Sequence, residues 1–493
     1  MELSQSDEAH MNTNVRNVRL SDQEFADMRK EALSSWPTGS EVDIDEAIEF
    51  HKSLPPDRNV VRRLQRAKAE GDVLVQPRAG IAPLDACIEL LKHLQDDGQA
   101  DILPTSVDSY TRANRYKNAE EGIRKSEQEG RSFLNGFPVV NYGVIGCRKV
   151  VNSLKVPIEL RTAAPDNRLA AEITLAAGYS AAVHGPICVT MHYSKNYRLA
   201  TTIKYYQHIF RLMAEYTRRG VPIAPDIYGL FSNVGVPQSL IYANQIVEAL
   251  LAAEQGVKYL MLNVITQGNI VQDVASTYVL PLLVDEYLKK FGYNDIELMT
   301  VANHWTGPYP EDPRSAYALD AVNTVAAVMG NADMIMVKST EQGVGLPSKE
   351  SNADALKFTR VMVNYLKKQK TNIGGEDFET ECEMTKRETR EMLDKVLEMG
   401  EGDPAVGIVN AYESGIMESP FSSNMHYNQG SVMVARDLTG SCRYFDPGKL
   451  PLSEEVRAWH AAKLRERMEK EKRNDEISLI MDSILGLSKE MLV

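Results

Sequence analysis

From about residue 72 onward, short apolar runs recur every 20 to 40 residues, and each is followed by a stretch with helical spacing. A strand that is apolar along its whole length must be covered on both faces. Helices placed between such strands return the chain for parallel pairing. That alternation restricts the chain to α/β architectures. The runs are VLVQ (73–76), DILP (101–104), FPVV (137–140), VPIEL (156–160), PICVTM (186–191), VPIAP (221–225), YLMLNVI (259–265), IELMTVA (296–302) and DMIMVK (333–338). Between them, APDNRLAAEITLAAG opens on Pro-Asp and PQSLIYANQIVEALLAAEQG closes on Gly256, as helices do. Nine runs are one too many for an eight-stranded cylinder, so FPVV or VPIAP is the expected surplus. A doubly wound open sheet is the alternative, but no GxGxxG follows any of the strands. The expected fold is a (β/α)8 TIM-type barrel over residues 71–350.

The flanks read differently. Residues 1–70 are polar with helical stretches such as LSDQEFADMRKEAL, an N-terminal helical arm available to pack on a neighbour. Residues 351–493 hold a charged helix ending on Gly400, an irregular stretch from Ala405 to Gly430, and a tail, a helical and irregular extension over the barrel and a partner. In the tail, Ile477, Ile480, Met481, Ile484 and Met491 share one helical face, expected to be a packing surface. The 493 residues, 43% hydrophobic and 25% charged, are those of a soluble globular protein of two or three domains, or one large barrel with flanking segments. A net charge of −13 offers no basic field for nucleic acid or an anionic membrane. Five scattered cysteines without a CxxC, a polar start and no long apolar span point to a cytoplasmic protein.

In an α/β barrel, chemistry gathers at the carboxyl ends of the strands. Arg78 follows VLVQP, Arg112 lies in SVDSYTRANR after DILP, and Arg161 directly follows VPIEL. Each guanidinium is a rigid fork matched to a carboxylate, so three at one mouth suit a dicarboxylate. A phosphorylated ligand is the competing use, and helix capping or pairing with acids is the plain structural one. Asn135-Gly136 precedes FPVV, His192-Tyr193 follows PICVTM, and Lys338 ends DMIMVK. Lys338 could form a Schiff base, as barrel aldolases do, or pair with Glu341. No HExxH, GxSxG or GxxxxGK[ST] occurs, and His184 with His192 is the one close histidine pair near these positions.

Five blocks in order carry a resemblance: GDVLVQPRAGIAPLDACIELLKHLQ, DILPTSVDSYTRANRY, GRSFLNGFPVVNYGVIGCRKV, RTAAPDNRLAAEI and VKSTEQGVGLPSKES. Over about residues 60–450 the chain resembles the large (epsilon) subunit of glutamate mutase, also called methylaspartate mutase. The resemblance implies a (β/α)8 barrel, a homodimer of this chain, and a separate small subunit bearing the cobalamin-binding DxHxxG motif and the cobalt ligand. No DxHxxG occurs here, so no metal ligand is expected on this chain. It also implies adenosylcobalamin as cofactor and a radical carbon-skeleton rearrangement that interconverts glutamate and 3-methylaspartate. Carried over by position, Arg78, Arg112, Arg161 and Tyr193 match substrate-holding residues, and Gly80, Asn135 and Lys338 match positions around the cobalamin. Tyr309 stands where the family has another aromatic, and Leu346 replaces a similar aliphatic.

The departures cluster on one side. Val183 stands in place of a glutamate that meets the substrate ammonium, and Val189 in place of a substrate-site tyrosine. Thr162 replaces a histidine, His192 a proline near the cofactor, and Gln342 a glutamate, with Glu341 beside it. The carboxylate grip is kept and the amine-reading side is rewritten. Without that glutamate the three arginines stand uncompensated unless Glu341 reaches in. The substrate is then expected to be a dicarboxylate whose amine is absent, modified, or turned to His184 or Thr162. Two rivals remain from the residues alone: a Lys338 Schiff-base lyase or aldolase, and a non-catalytic partner of a cobalamin protein.

Overall fold

Parallel pairing of all eight strands follows from the buried, two-sided character of the apolar runs. In the computed structural model, which describes residues 15–183, 185–231, 235–343, 345, 347–369 and 373–492, the strands are β1 (Leu74–Gln76), β2 (Leu103–Ser106), β3 (Ile158–Arg161), β4 (Ala181–Val183), β5 (Ala224–Ile227), β6 (Tyr259–Ile265), β7 (Glu297–Asn303) and β8 (Met334–Met336). They neighbour one another in the order β1-β8-β7-β6-β5-β4-β3-β2. The cylinder closes between β1 and β2, where Asp101 N–H donates to Val75 O at 3.0 Å and Ser106 N–H to Ala79 O at 2.7 Å. The Asp101 carboxylate accepts the Val75 N–H at 3.0 Å on the same seam. The architecture is a (β/α)8 barrel.

Two strand assignments need correction. FPVV is the surplus run, since Val139 and Val140 open the helix Val139–Asn152, while VPIAP leads into β5. PICVTM is not a strand but the helix Pro186–Tyr193. Proline in the first helical turn lacks only an N–H that would have no helical partner. The true fourth strand, Ala181–Val183, is three residues long and alanine-rich, so its apolar signal is small.

The helix Val60–Glu70 plugs the amino end of the barrel. Its face of Val60, Val61, Leu64 and Ala67 packs on the first residues of the strands, among them Leu74, Ala181, Ala224, Met261, Met299 and Met334. Val60 N–H donates to Ser180 Oγ at 2.8 Å, and Asn59 caps the helix. Among the described residues, the opposite end is therefore the axial entrance the strands leave for a ligand.

After β8 the chain returns to the wall. The helix Glu376–Met399 lies along the helices Gln238–Glu254 and Ile270–Lys290, where Ser239 Oγ donates to Glu388 at 2.6 Å and Gln272 Nε2 to Glu381 at 2.9 Å. A hairpin, β9 (Met433–Arg436) and β10 (Cys442–Asp446), carries Arg443, which pairs with Glu381 and Asp437. The tail helix Glu476–Leu485 buries Leu479 and Ser483, whereas Ile477 and Met481 of the expected packing stripe are exposed. No helix among the described residues is long and apolar enough to cross a membrane.

Candidate functional site

Strand ends converge on one cationic mouth. Arg161, the last residue of β3, is 6% exposed and reaches across the barrel. Its Nη2 donates to Tyr228 OH at 2.6 Å, and its Nη1 donates to Gln76 Oε1 at 3.3 Å and Glu159 Oε2 at 3.2 Å. Asp226 Oδ2 lies 3.6 Å from the same Nη1. Tyr228 OH donates to Asn303 Oδ1 at 2.8 Å, and Asn303 Nδ2 donates to Asn263 Oδ1 at 2.8 Å. A polar layer contributed by β1, β3, β5, β6 and β7 thus lies inside the cylinder, where alternate strand positions point inward.

Arg78 and Arg112 behave differently. Arg78 stands over the Phe231 ring at 5.8 Å and Arg112 over the Tyr193 ring at 5.6 Å. Tyr193 and Phe231 lie 5.9 Å apart, and Phe231 meets Tyr228 at 5.3 Å. Among the described residues, neither guanidinium has a hydrogen-bonded or ionic partner. Desolvation and the charge of Arg161 push the Arg78 pKa down. The expectation of three uncompensated arginines is therefore corrected. Arg161 is balanced by Glu159 and Asp226, and two cations are left over. Glu341 does not reach in, since its Oε2 accepts the Ser348 N–H at 2.6 Å.

Val183 is 1% exposed in an apolar cluster with Cys188, Tyr228 and Ile265, edged by Tyr193 and Phe231. Val189 is fully buried on the helix that carries Tyr193. That helix is anchored by Glu248, whose Oε1 accepts the N–H groups of Ile187 (2.9 Å) and Cys188 (3.1 Å) while Oε2 accepts that of Gly229 (2.8 Å). One carboxylate so ties the β4 loop to the β5 loop. Burial raises its pKa from 4.5 to about 7 against the lowering effect of those bonds. Because the folded value lies above the unfolded one, its contribution to stability is complete below pH 4.5 and is lost as pH rises through about 7. Glu248→Gln should destabilise the chain by about 1–3 kcal/mol, since one amide oxygen cannot satisfy three donors. Urea unfolding of both forms should show the gap widening as pH falls from 7 towards 4.5.

At β8, Lys338 is 6% exposed and has no carboxylate partner among the described residues. Burial, then Arg78 and Arg161, push its amine well below the usual range. Behind it, His304 Nδ1 lies 3.0 Å from Asp320 Oδ1, and Tyr309 OH donates to the same carboxylate. Tyr309 is consequently held in a core cluster with Trp305, Ala316 and Leu319 rather than in the open mouth. His192 Nε2 lies 3.1 Å from Ser419 Oγ; its Nδ1 is buried without a partner, and burial pulls its pKa down to about 4. Thr162 is buried and its Oγ1 accepts the Ala164 N–H at 3.3 Å. Asn135 sits on the exposed rim with Oδ1 accepting the Ser109 N–H at 2.9 Å. Gly80 runs so near β2 that a Cβ would stand 2.5 Å from Ser106 O. Gln342 lies on the 3-10 turn Thr340–Gly343; Leu346 and His184 fall outside the described residues.

The geometry unites Arg78, Arg112, Arg161, Tyr193 and Lys338, and leaves Tyr309 and Asn135 at its margins. Sequence reasoning missed Glu159, Asp226, Tyr228, Asn263 and Asn303. The available signal was a polar residue inside or beside an apolar run, as in VPIEL and YLMLNVI.

A barrel with a plugged floor and, among the described residues, two guanidiniums without an anionic partner at its mouth belongs to the TIM-barrel class. Residues 54–493 match the family model for the methylaspartate mutase E chain, and the chain belongs to that family. It is similar to the glutamate mutase epsilon subunit of Desulfitobacterium hafniense, 41% identical over 97% of this chain and 99% of the relative. The subunit of the same name from Treponema denticola is 39% identical over 97% and 98%, and that from Fusobacterium nucleatum 32% identical over 96% and 98%. The chain is thus a mutase subunit, an isomerase by reaction class.

Proposed function

We propose that this subunit binds a dicarboxylate and guides its carbon-skeleton rearrangement, glutamate to 3-methylaspartate or that of a related dicarboxylate. In this reading adenosylcobalamin is delivered by a small partner subunit with the DxHxxG motif, onto a cytoplasmic homodimer of this chain. The observation that carries it is the pair of unpartnered guanidiniums, Arg78 and Arg112, beside Arg161. Forked cations held in a desolvated mouth are costly until carboxylates meet them.

The mouth also fits a large cofactor. Among the described residues, the Lys338 amine has no carboxylate partner and His192 Nδ1 has no hydrogen-bond partner, and Phe421 and Met425 are exposed on the segment bonded to Met191 and Lys195. Lys338, Gln342, Asn135 and the Gly80 backbone are the groups that would hold it. Adenosylcobalamin, when bound, supplies the one-electron chemistry that starts the rearrangement. The chain's own share is positional. Arg78, Arg112 and Arg161 fix both ends of the carbon chain, and that restraint raises effective molarity. The Tyr193, Phe231 and Tyr228 rings line the mouth and exclude water.

Val183 supports a substrate without a free ammonium, because its apolar cluster cannot solvate a second cation and the arginines over the edging Tyr193 and Phe231 rings repel one. Turnover of the chain reconstituted with its cobalamin subunit should favour 2-hydroxy or 2-oxo dicarboxylates over glutamate, with hydrogen passing from labelled adenosylcobalamin to product. Efficient, exclusive use of glutamate would sink the amine-free reading. One observation favours a second reading: Lys338 is buried just past β8 without a carboxylate partner among the described residues, a setting that suits a Schiff base. Borohydride trapping of substrate on Lys338, with activity in the absence of cobalamin, would establish it.

A further inference from the structure

Two buried carboxyls flank one guanidinium nitrogen beneath the arginine site. Glu159 on β3 and Asp226 on β5 are both fully buried and both lie against Nη1 of Arg161. Gln76 Nε2 donates to Glu159 Oε2, and Asn263 Nδ2 donates to Asp226 Oδ1. Among the described residues, no N–H or O–H reaches Glu159 Oε1 or Asp226 Oδ2. Both carboxyls touch the same guanidinium nitrogen and each keeps an unbonded oxygen, so two full negative charges would stand side by side in a desolvated layer. The other polar or charged groups facing them are the Arg161 guanidinium, the Tyr228 hydroxyl bonded to it, and the Asn303 amide; Arg78 and Lys338 act on Arg161 from above.

We propose that Glu159 and Asp226 share one proton and thereby set the net charge of the ligand that the arginine site accepts. The proposal rests on the reading of the mouth as a dicarboxylate clamp. With the proton shared, three guanidiniums face one negative charge, and the remainder matches a dianion without an ammonium. With both carboxyls ionised, the remainder is a single positive charge, which matches a dicarboxylate that carries an ammonium. The pair is thus a specificity-determining element one layer below the substrate. Desolvation and then the Glu159 charge raise the Asp226 pKa, consistent with Asp226 as the proton's holder.

Two measurements test it. Infrared spectroscopy of the full-length, ligand-free chain at neutral pH should show a protonated-carboxyl band that is lost in Asp226→Asn and in Glu159→Gln. Asn at 226 keeps a donor towards Glu159, and the wild-type band gives an answer even where a variant folds poorly. Absence of that band in the wild type overturns the proposal whatever the substrate is. In the chain reconstituted with its cobalamin subunit, 2-hydroxyglutarate should bind with an affinity that falls roughly tenfold per pH unit above the pair's titration. In Asp226→Asn that slope should vanish. A flat wild-type profile overturns the role in specificity. If the band is present but glutamate is the ligand held at neutral pH, the amine-free reading of the substrate fails and the shared proton stands.

Discussion

Arg161→Ala is expected to destabilise the chain by about 3–5 kcal/mol, the loss that follows when one partner of a buried ion pair is removed. Glu159 and Asp226 are both fully buried, and Arg161 is their only cationic contact among the described residues. Without it, one ionised carboxylate is left in the barrel core with amide donors alone. Tyr228 OH loses its guanidinium donor as well, and the chain of bonds through Asn303 to Asn263 loosens. Chemical denaturation at neutral pH reads the loss. The deficit should shrink as pH falls, because a second proton can then neutralise the pair. Adding Glu159→Gln to the variant should recover part of the stability, a coupling that independent sites would not show. An Arg161→Ala protein as stable as the parent would mean that the three groups do not form one unit.

The large features were legible in the chain because they are periodic. Alternating apolar runs and amphipathic stretches announced parallel strands with helical crossovers, and arginines placed after those runs announced the mouth. Features set by one residue's surroundings were not. Ala181–Val183 carries too little apolar area to stand out, and Pro186 turned the more apolar run after it into a helix. The carboxylates that balance Arg161 come from positions 159 and 226, and nothing local marks them as neighbours across the barrel. Glu248 is 19 residues from the Gly229 N–H it accepts and 61 from that of Ile187. Tyr309 stands where the family has another aromatic, and its bond to Asp320 holds it in the cluster with Trp305, a contact no local pattern announces. The tail stripe is met in part: Ile480 packs on the cluster of Ala435, Leu464 and Leu479, while β9 bonds the face with Ser483 and leaves Ile477, Met481 and Met491 exposed.

Arg78→Met should have the opposite signature to Arg161→Ala. Arg78 has no anionic partner within the described chain, its guanidinium is desolvated, and Arg161 repels it. Its presence therefore costs the unliganded fold free energy, and an apolar side chain of similar length against Phe231 removes that cost. The unliganded variant should melt at or above the parent's temperature. Dicarboxylate binding should meanwhile weaken by about 2–5 kcal/mol, some thirtyfold to several thousandfold, as when one side of a buried charge pair is truncated. Calorimetric titration with a dicarboxylate, run beside a thermal melt of the same sample, separates the two effects. Arg112→Met should weaken binding in the same range. Opposite signs in binding and stability are what a residue kept for a ligand must show, and a residue kept for the fold, such as Arg161, must lose both together. If Arg78→Met lowered stability and left binding intact, the cation at 78 would belong to the scaffold and the dicarboxylate grip would lose one of its two free hands.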